Sequence, residues 1–259
     1  MSNDIKSTDF IQSLGKGLSV LALFNAQQPR MTLTEVAQAT GLTRANARRI
    51  LLTLAHLGYV HSNDGRYFAP TPKVLQLGFS YLSSLSFREW ARPYMEQLAA
   101  RVNESCSLSV RDGLELVYVE RVQTKRIMSI TLGVGMRLPL HATSMGKVLL
   151  MDQTDTDLRT LFTDTGLQAF TPRTLTSLNA LQAELAVVKQ QGWAMSDEEL
   201  ETGIRSIAVP LRNSRGEVLA ALNISAHAGR VSREELLSKL LPALQQCASD
   251  IESTLKNSQ

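Results

Sequence analysis

Apolar residues recur every three or four positions through the first quarter of the chain, the spacing of helices with one apolar face. The first series is Leu14, Leu18, Leu21 and Phe24, and Ser13 can cap the helix that these residues define. The pattern therefore predicts that the chain begins with an amphipathic helix.

Two further helices follow, separated by a tight turn. Thr32 or Thr34 can open a short helix that ends at Gly41, because glycine adopts the left-handed conformation found after helices. Thr43 can cap a longer helix that runs to about Leu57. These signals predict two consecutive helices joined by a short connection.

A turn formed by Asp64 and Gly65 lies between two short β-prone runs, which predicts a hairpin after the third helix. Three helices followed by a hairpin are typical of a winged helix–turn–helix, whose last helix enters the major groove of DNA. One side of that helix is apolar and would face the core: Ala47, Ile50, Leu51, Leu54 and Leu57. The opposite side carries Ala45, Arg48, Arg49, Leu52 and His56.

The first turn and the outer side of this helix carry side chains suited to reading bases. Arginine pairs bidentately with guanine and asparagine with adenine, while the hairpin would act as a wing on phosphate or the minor groove. The candidate DNA-binding residues are Thr43, Arg44, Ala45, Asn46, Arg48, Arg49 and Arg66. The alternative is a small helical domain with an arginine cluster on its surface.

The charge distribution favours the DNA-binding interpretation only modestly. Residues 1–70 hold seven Lys or Arg against four Asp or Glu, whereas residues 71–259 hold 20 of each sign, so the whole net charge of +3 lies in the first quarter. An excess of this kind is typical of a segment that meets a polyanion. Chance is the alternative, because three charges are few.

The remaining sequence predicts an α+β domain behind a linker helix. Residues 1–70 are assigned to the winged helix–turn–helix, 71–86 to the linker helix and 87–259 to the second domain. The apolar face of the linker needs a partner, through a dimer contact, interdomain packing or simple burial. About six strands are predicted, at 106–110, 114–122, 127–132, 193–196, 205–211 and 218–225. Helices are predicted at 90–102, 144–151, 155–162, 177–190 and at the C-terminus.

Three stretches in order, 33–60, 139–147 (PLHATSMGK) and 197–205 (DEELETGIR), resemble the IclR-type transcription regulators. Residues 10–18 and 75–79 resemble more narrowly the branch that regulates aromatic-acid catabolism, which includes protocatechuate, 4-hydroxybenzoate and β-ketoadipate pathway regulators. The resemblance implies a GAF-like effector domain, dimers or tetramers, and operators with inverted half-sites. The expected partners are therefore double-stranded DNA and a small aromatic or dicarboxylic acid.

The effector site is less well defined by the sequence. Asn223 and Ser225 are two residues apart and share one face of a predicted strand, which is either solvent-exposed or part of a polar cavity. The resemblance implies that ligand contacts fall at Ser144, Met145, Ser196, Ser206, Asn223 and Ser225. Ser206 stands where some members have Cys, and Ser196 where some have Asp, so the ligand of those members cannot be transferred.

Arg137 is a further candidate for the effector site, since arginine can clamp a carboxylate bidentately. The alternative is a structural ion pair with an acid such as Glu120. His141 is expected to bond a backbone carbonyl, and Lys147 to be structural or solvated. The acidic run 197–201 is expected to be a solvated turn.

Other classes of protein fit the sequence poorly. The chain has 44% hydrophobic and 20% charged residues, which argues against disorder, and it contains no apolar run long enough to cross a membrane. The N-terminal residues lack the apolar region of a signal peptide, so a cytoplasmic location is expected. Nucleophile elbows, nucleotide-binding glycine loops and His/Cys metal pairs are missing, so we expect neither an enzyme nor a cofactor. Cys106 and Cys247 are expected to be buried thiols.

Overall fold

A computed structural model of the chain describes residues 8–25, 27–124, 133–163 and 165–257. The chain divides into two compact units, Met1–Ser83 and Ser84–Gln259. The boundary falls inside the segment that the sequence assigns to a linker helix. The strand predicted at 127–132 lies outside the described residues.

The first unit contains three helices and a small antiparallel sheet of strand order β1–β3–β2. Its core is formed by residues such as Val36, Leu51 and Phe68, which are less than 9% exposed. Its elements are α1 (Gln12–Leu21), β1 (Met31–Thr32), α2 (Leu33–Thr40), α3 (Arg44–His56), β2 (Val60–His61) and β3 (Tyr67–Pro70). A 3-10 turn (Pro72–Val74) and α4 (Leu75–Ser84) follow.

Local capping explains where α2 and α3 begin and end. Thr32 caps α2 in a capping box with Glu35, which decides between the two threonines that the sequence offered. Gly41 ends α2 at a φ of 66°, in the left-handed region. Thr43 caps α3 by accepting a hydrogen bond from the backbone N–H of Asn46. These three local signals confirm the predicted helix–turn–helix.

The packing of α1 differs from the simple expectation of one buried apolar face. Val20 is fully buried, whereas Leu14 and Leu18 are 59% and 55% exposed. Leu57, expected in the core next to α3, is 48% exposed. Val20 packs in the core of this unit on another side of α1, whereas Leu14 and Leu18 lie outside that core.

The second unit is built on a six-stranded antiparallel sheet of order β6–β5–β4–β9–β8–β7. The strands are β4 (Ser105–Asp112), β5 (Glu115–Val122), β6 (Arg137–Pro139), β7 (Ala194–Asp197), β8 (Ile204–Arg212) and β9 (Val218–His227). The helices are α5 (Ser86–Val102), α6 (Ser144–Leu150), α7 (Asp155–Phe162), α8 (Leu178–Gln191), α9 (Arg233–Glu235) and α10 (Leu241–Asn257), with a π-helical turn, Leu236–Leu240, before α10. The short edge strand β6 was not predicted.

Helices cover both faces of this sheet. On the face covered by α5 and α10, the Cys106 thiol donates to the carbonyl of Met95 at 3.3 Å. On the other face lies α6, backed by α8. Both cysteines are buried and free, as predicted, and burial raises the pKa of each thiol to about 12.

Candidate functional sites

Helix α3 turns its polar side outward. Ala47 and Leu51 are fully buried against the unit's core. The six candidate residues at the start and on the outer side of this helix are exposed: Thr43, Arg44, Ala45, Asn46, Arg48 and Arg49. The helix therefore presents a short polar surface that a nucleic-acid groove could receive.

Acidic side chains of the described residues do not neutralise the arginines of this surface. Among the ion pairs of the described residues, none involves Arg44, Arg48 or Arg49. A guanidinium group without an acid keeps its donors and its charge for a phosphate or a guanine edge.

The hairpin between β2 and β3 holds Arg66 at its tip. The Asp64 carboxylate accepts the backbone N–H groups of Arg66 and Tyr67, both at 2.9 Å, and these bonds lower the pKa of Asp64. The guanidinium groups of Arg30 and Arg66 lie 5.0 Å and 5.3 Å from the centre of the Tyr67 ring. The wing thus carries two cations held on one aromatic ring.

A groove of about 790 Å³ runs between α1 and α3 in the first unit. Its walls include the exposed Leu14, Leu18 and Leu57, together with Leu77 of α4. Asn46 and Arg49 also border this groove, whereas Arg44 and Arg48 do not. One side of the polar surface on α3 therefore adjoins the apolar groove.

In the second unit, the sheet face beneath α6 is lined by small polar side chains. In strand register, Ser225 of β9 lies opposite Ser206 of β8, and Ser206 lies opposite Ser196 of β7. Asn223 lies opposite Ser107 of β4. This polar face decides the question that the sequence left open: Asn223 is only 2% exposed, so its side of β9 is interior and not solvent.

Helix α6 is tied to this face by several side-chain hydrogen bonds. The hydroxyl oxygens of Ser144 and Ser206 are 2.8 Å apart, and Ser196 donates to the carbonyl of Ala142 at 3.0 Å. The Ser109 hydroxyl donates to the sulfur of Met145 at 3.2 Å. Five sequence-predicted effector residues therefore lie on the polar face or the helix above it: Ser144, Met145, Ser196, Ser206 and Asn223, with Ser225 beside them.

Asn223 retains unused hydrogen-bonding capacity. Its amide nitrogen donates to the Ser225 hydroxyl at 3.0 Å, but its buried Oδ1 has no partner among the described residues. Buried polar atoms are normally satisfied, because an unpaired one costs about 1–3 kcal/mol. An unpaired acceptor at this position is suited to a ligand that donates a hydrogen bond.

Arg137 does not lie with the other predicted effector residues. This residue lies in β6, at the opposite edge of the sheet from Ser196 in β7. Its exposed guanidinium donates to Glu115 at 2.6 Å and to Asp112 at 2.7 Å, which raises its pKa. Of the two interpretations, the structural ion pair describes what is observed, although the partner is not Glu120.

Lys147 and His141 have the structural surroundings that the sequence suggested. The Lys147 ammonium, 2% exposed, donates to Glu199 at 2.6 Å, to Glu184 at 3.2 Å and to the Met195 carbonyl at 3.0 Å. Burial raises the pKa of Glu199 despite the opposing attraction of Lys147. The His141 ring lies 2.9 Å from the carbonyl oxygen of Gln168.

Comparison with known proteins assigns both units. Residues 13–64 match the IclR helix-turn-helix domain, and residues 79–253 match the bacterial transcriptional regulator IclR C-terminal domain. The chain belongs to the IclR family.

Full-length IclR relatives support the assignment. The chain is 42% identical to the Pca regulon regulatory protein of Pseudomonas putida, covering 94% of this chain and 84% of that protein. It is 36% identical to the p-hydroxybenzoate hydroxylase transcriptional activator of Acinetobacter baylyi, covering 96% and 94%. These relatives match the aromatic-catabolism branch, and they are transcriptional regulators, not enzymes.

Solved IclR structures have the same fold. A putative transcriptional regulator from Rhodococcus sp. RHA1 is 46% identical, with a TM-score of 0.83 over 96% of this chain and all of that one. An IclR homologue from Microbacterium hydrocarbonoxydans complexed with 4-hydroxybenzoate is 25% identical, with a TM-score of 0.81 over 95% and 99%. The chain is therefore a DNA-binding transcriptional regulator of the IclR fold.

Two groups of residues at the candidate sites of this IclR protein were not predicted from the sequence. Arg30 joins the wing only because β1 pairs with β3 and brings it to Tyr67. Ser105, Ser107 and Ser109 alternate with apolar residues in β4, a pattern of period two that could have predicted a polar face.

The described residues form neither a metal cluster nor a membrane-spanning helix. In the part of the chain that the structure describes, no three His, Cys, Asp or Glu side chains come together as metal ligands would. Over those same residues, each helix is too short or too polar to span a membrane.

Proposed function

We propose that this IclR regulator binds an inverted-repeat operator as a homodimer or tetramer, and that a small aromatic or dicarboxylic acid bound in the second unit controls it. Helix α3 and the wing contact the DNA, and the polar face beneath α6 contacts the effector. A protein that acts on chromosomal DNA in this way works in the bacterial cytoplasm.

The observation that carries the DNA contact is the exposure of unpaired arginines on α3. Base readout is assigned to Arg44, Asn46, Arg48 and Arg49, whose donors reach groove edges when the helix enters the major groove. Arg66 is assigned to phosphate or the minor groove, because it lies at the tip of the wing beside Arg30. Thr43 caps the helix and Ala45 allows close approach of the DNA.

The effector contact is supported by buried polar groups on an interior sheet face. Ser144, Ser196, Ser206 and Asn223 are each at most 9% exposed, and the Asn223 acceptor is unpaired. Interior polar groups of this kind orient small ligands in protein pockets. The homologue complexed with 4-hydroxybenzoate makes an aromatic acid the first choice of probe.

Self-association is supported by apolar side chains that the chain leaves uncovered. Leu14 and Leu18 of α1 are more than half exposed, as are Leu75 and Phe79 of α4. Patches of this kind mark interaction sites in soluble proteins. A second copy is the occupant that an inverted-repeat operator requires, because a two-fold operator is read by a two-fold protein.

The oligomer can be tested by sedimentation velocity of the full chain. Leu18→Glu should lower the association state, whereas Val187→Glu should leave it unchanged, since Val187 is a similarly exposed apolar residue on α8. A monomeric wild-type protein at micromolar concentration would contradict the proposal.

The effector can be tested by thermal unfolding of the full chain with 4-hydroxybenzoate and a panel of aromatic and dicarboxylic acids. An acid that binds the native state raises the Tm. At a free concentration of a hundred times its Kd, it increases the free energy of unfolding by about 2.7 kcal/mol. Ser206→Ala should reduce the shift, while Ser253→Ala, an exposed serine of α10, should not. No shift with any acid would indicate a repressor that needs no ligand.

A further inference from the structure

Arg121, near the end of β5, lies on the same sheet face as the polar groups beneath α6. It is opposite Ser107 of β4, which in turn is opposite Asn223 of β9. Arg121 and Asn223 are therefore two strands apart in one row, a separation of about 10 Å between their Cα atoms at the usual strand spacing.

The guanidinium group of Arg121 is only partly satisfied. Its Nη1 donates to the Ser107 hydroxyl at 3.3 Å, and its buried Nε has no acceptor in the part of the chain that the structure describes. None of the ion pairs in the described ranges involves Arg121. The neighbouring carboxylate of Glu120 faces the other side of the strand, where Arg88 and Arg92 bind it.

A half-buried cation without a carboxylate is costly. Burial lowers the pKa of Arg121, although an arginine keeps its charge at any physiological pH. Arg137, one of the sequence's candidates for a carboxylate clamp, already has two acids. Arg121 therefore has both a position beside the polar face and free donors for an anion.

We infer that Arg121 anchors the carboxylate of the effector and that the Oδ1 of Asn223 accepts a hydrogen bond from a hydroxyl at the effector's far end. The inference rests on the proposed effector site and specifies its ligand class: a flat carboxylic acid with a donor opposite the carboxylate. One such ligand would satisfy both unpaired groups, the Nε of Arg121 and the Oδ1 of Asn223.

The test is isothermal titration of the full chain with three probes. They are 4-hydroxybenzoate, its neutral analogue 4-hydroxybenzamide, and benzoate, which lacks the hydroxyl. The wild type should prefer 4-hydroxybenzoate over both analogues by about tenfold or more, as one charge-assisted or buried hydrogen bond permits.

Two variants separate the roles. Arg121→Gln should lower the affinity for 4-hydroxybenzoate about ten- to a hundredfold and leave the affinity for 4-hydroxybenzamide unchanged. The variant would then no longer prefer the charged acid over the neutral amide. Asn223→Ala should remove the preference for 4-hydroxybenzoate over benzoate. Arg137→Gln is the matched control and should change neither preference. Arg121→Lys keeps the charge and should retain a preference for the acid over the amide, which provides a second readout should the glutamine variant unfold.

The outcomes distinguish the inference from the proposed function on which it rests. A wild type that binds the acid, with a charge preference unaltered in Arg121→Gln, would overturn the role of Arg121 and leave the effector site standing. Equal loss of acid and amide binding would also overturn it. A wild type that binds none of the three probes would overturn the inference, and the proposed effector site would then be decided by the wider panel of aromatic and dicarboxylic acids.

Discussion

The hydroxyl oxygens of Ser144 and Ser206 are 2.8 Å apart, and this bond joins the first turn of α6 to β8, the strand next to one edge of the sheet. Ser144 is 1% exposed and Ser206 9%, so neither hydroxyl can turn fully to water. The relative position of α6 and β8 is therefore fixed by a polar contact on the face where the effector is proposed to bind.

Removing both partners of this bond should cost less than the sum of the two single removals. Ser206→Ala leaves the buried Ser144 hydroxyl unpaired and should lower the free energy of unfolding by about 1–3 kcal/mol. The double variant Ser144→Ala/Ser206→Ala should be less destabilised than the sum of the two single variants. Urea unfolding of the three variants checks this, and strictly additive effects would argue against the bond.

The buried ammonium of Lys147 should be important for stability at neutral pH. Lys147→Met leaves Glu199 buried without its cation, a change that costs about 3–5 kcal/mol for a buried pair. Lys189→Met, an exposed lysine of α8, is the control and should shift stability by about 0.5 kcal/mol or less.

The loss of stability caused by Lys147→Met should be smaller at acidic pH than at neutral pH. Loss of the lysine raises the folded-state pKa of Glu199 further above its ordinary value near 4.5, so the folded protein holds the proton more tightly than the unfolded chain. Protonation of Glu199 therefore stabilises the folded variant. This contribution is fully present below the ordinary pKa and is lost as the pH rises through the folded-state pKa. Urea unfolding at pH 5 and pH 7.5 measures this, and a deficit independent of pH would contradict it.

Gly146 allows α6 to pass close to the chain before it. A Cβ at this position would overlap the backbone carbonyl of Leu140, which cannot move aside as a flexible side chain could. Gly146→Ala should therefore be destabilising by several kcal/mol, or prevent folding. Gly78→Ala in α4 meets no atom within 4 Å and should stabilise its helix by about 0.5–1 kcal/mol. Thermal unfolding compares the two, and equal effects would refute the steric argument.

Arg66 should contribute affinity for DNA without sequence preference. If its guanidinium contacts phosphate from the wing, Arg66→Ala should weaken binding to all duplexes alike and lower the slope of log K against log salt by about one. Fluorescence anisotropy at several salt concentrations measures the slope. A loss confined to one operator sequence would instead assign Arg66 to base readout.

Helix α3 could be predicted because its signals are local. The Thr43 cap, the glycine at 41 and the spacing of Ala47 and Leu51 all lie within one short segment. Once the apolar side of α3 is known, its geometry places Arg48 on the outside. Periodicity could not reveal that Leu14 and Leu18 remain exposed, because it identifies an apolar face and not the element that covers it.

The proposed effector site could not be predicted in the same way, because it is formed by contacts between segments that are distant in the sequence. The alternation around Asn223 is the same whether solvent or a helix covers that face, and only the position of α6 decides it. Arg137 was a candidate for binding the effector because its ion pairs with Asp112 and Glu115 could not be foreseen. Those acids lie in other strands, and the sequence alone does not give the register between the strands. Arg121 was overlooked for the same reason, since its importance comes from Ser107 and Asn223 in neighbouring strands.

The central claim is that the outer side of α3 reads DNA, and site selection from random duplexes tests it most directly. The wild type should select an inverted repeat, and Arg48→Ala or Arg49→Ala should lose preference at one base pair in each half-site, at a cost of about 1–3 kcal/mol. Both variants selecting the wild-type sequence with wild-type affinity would contradict the account.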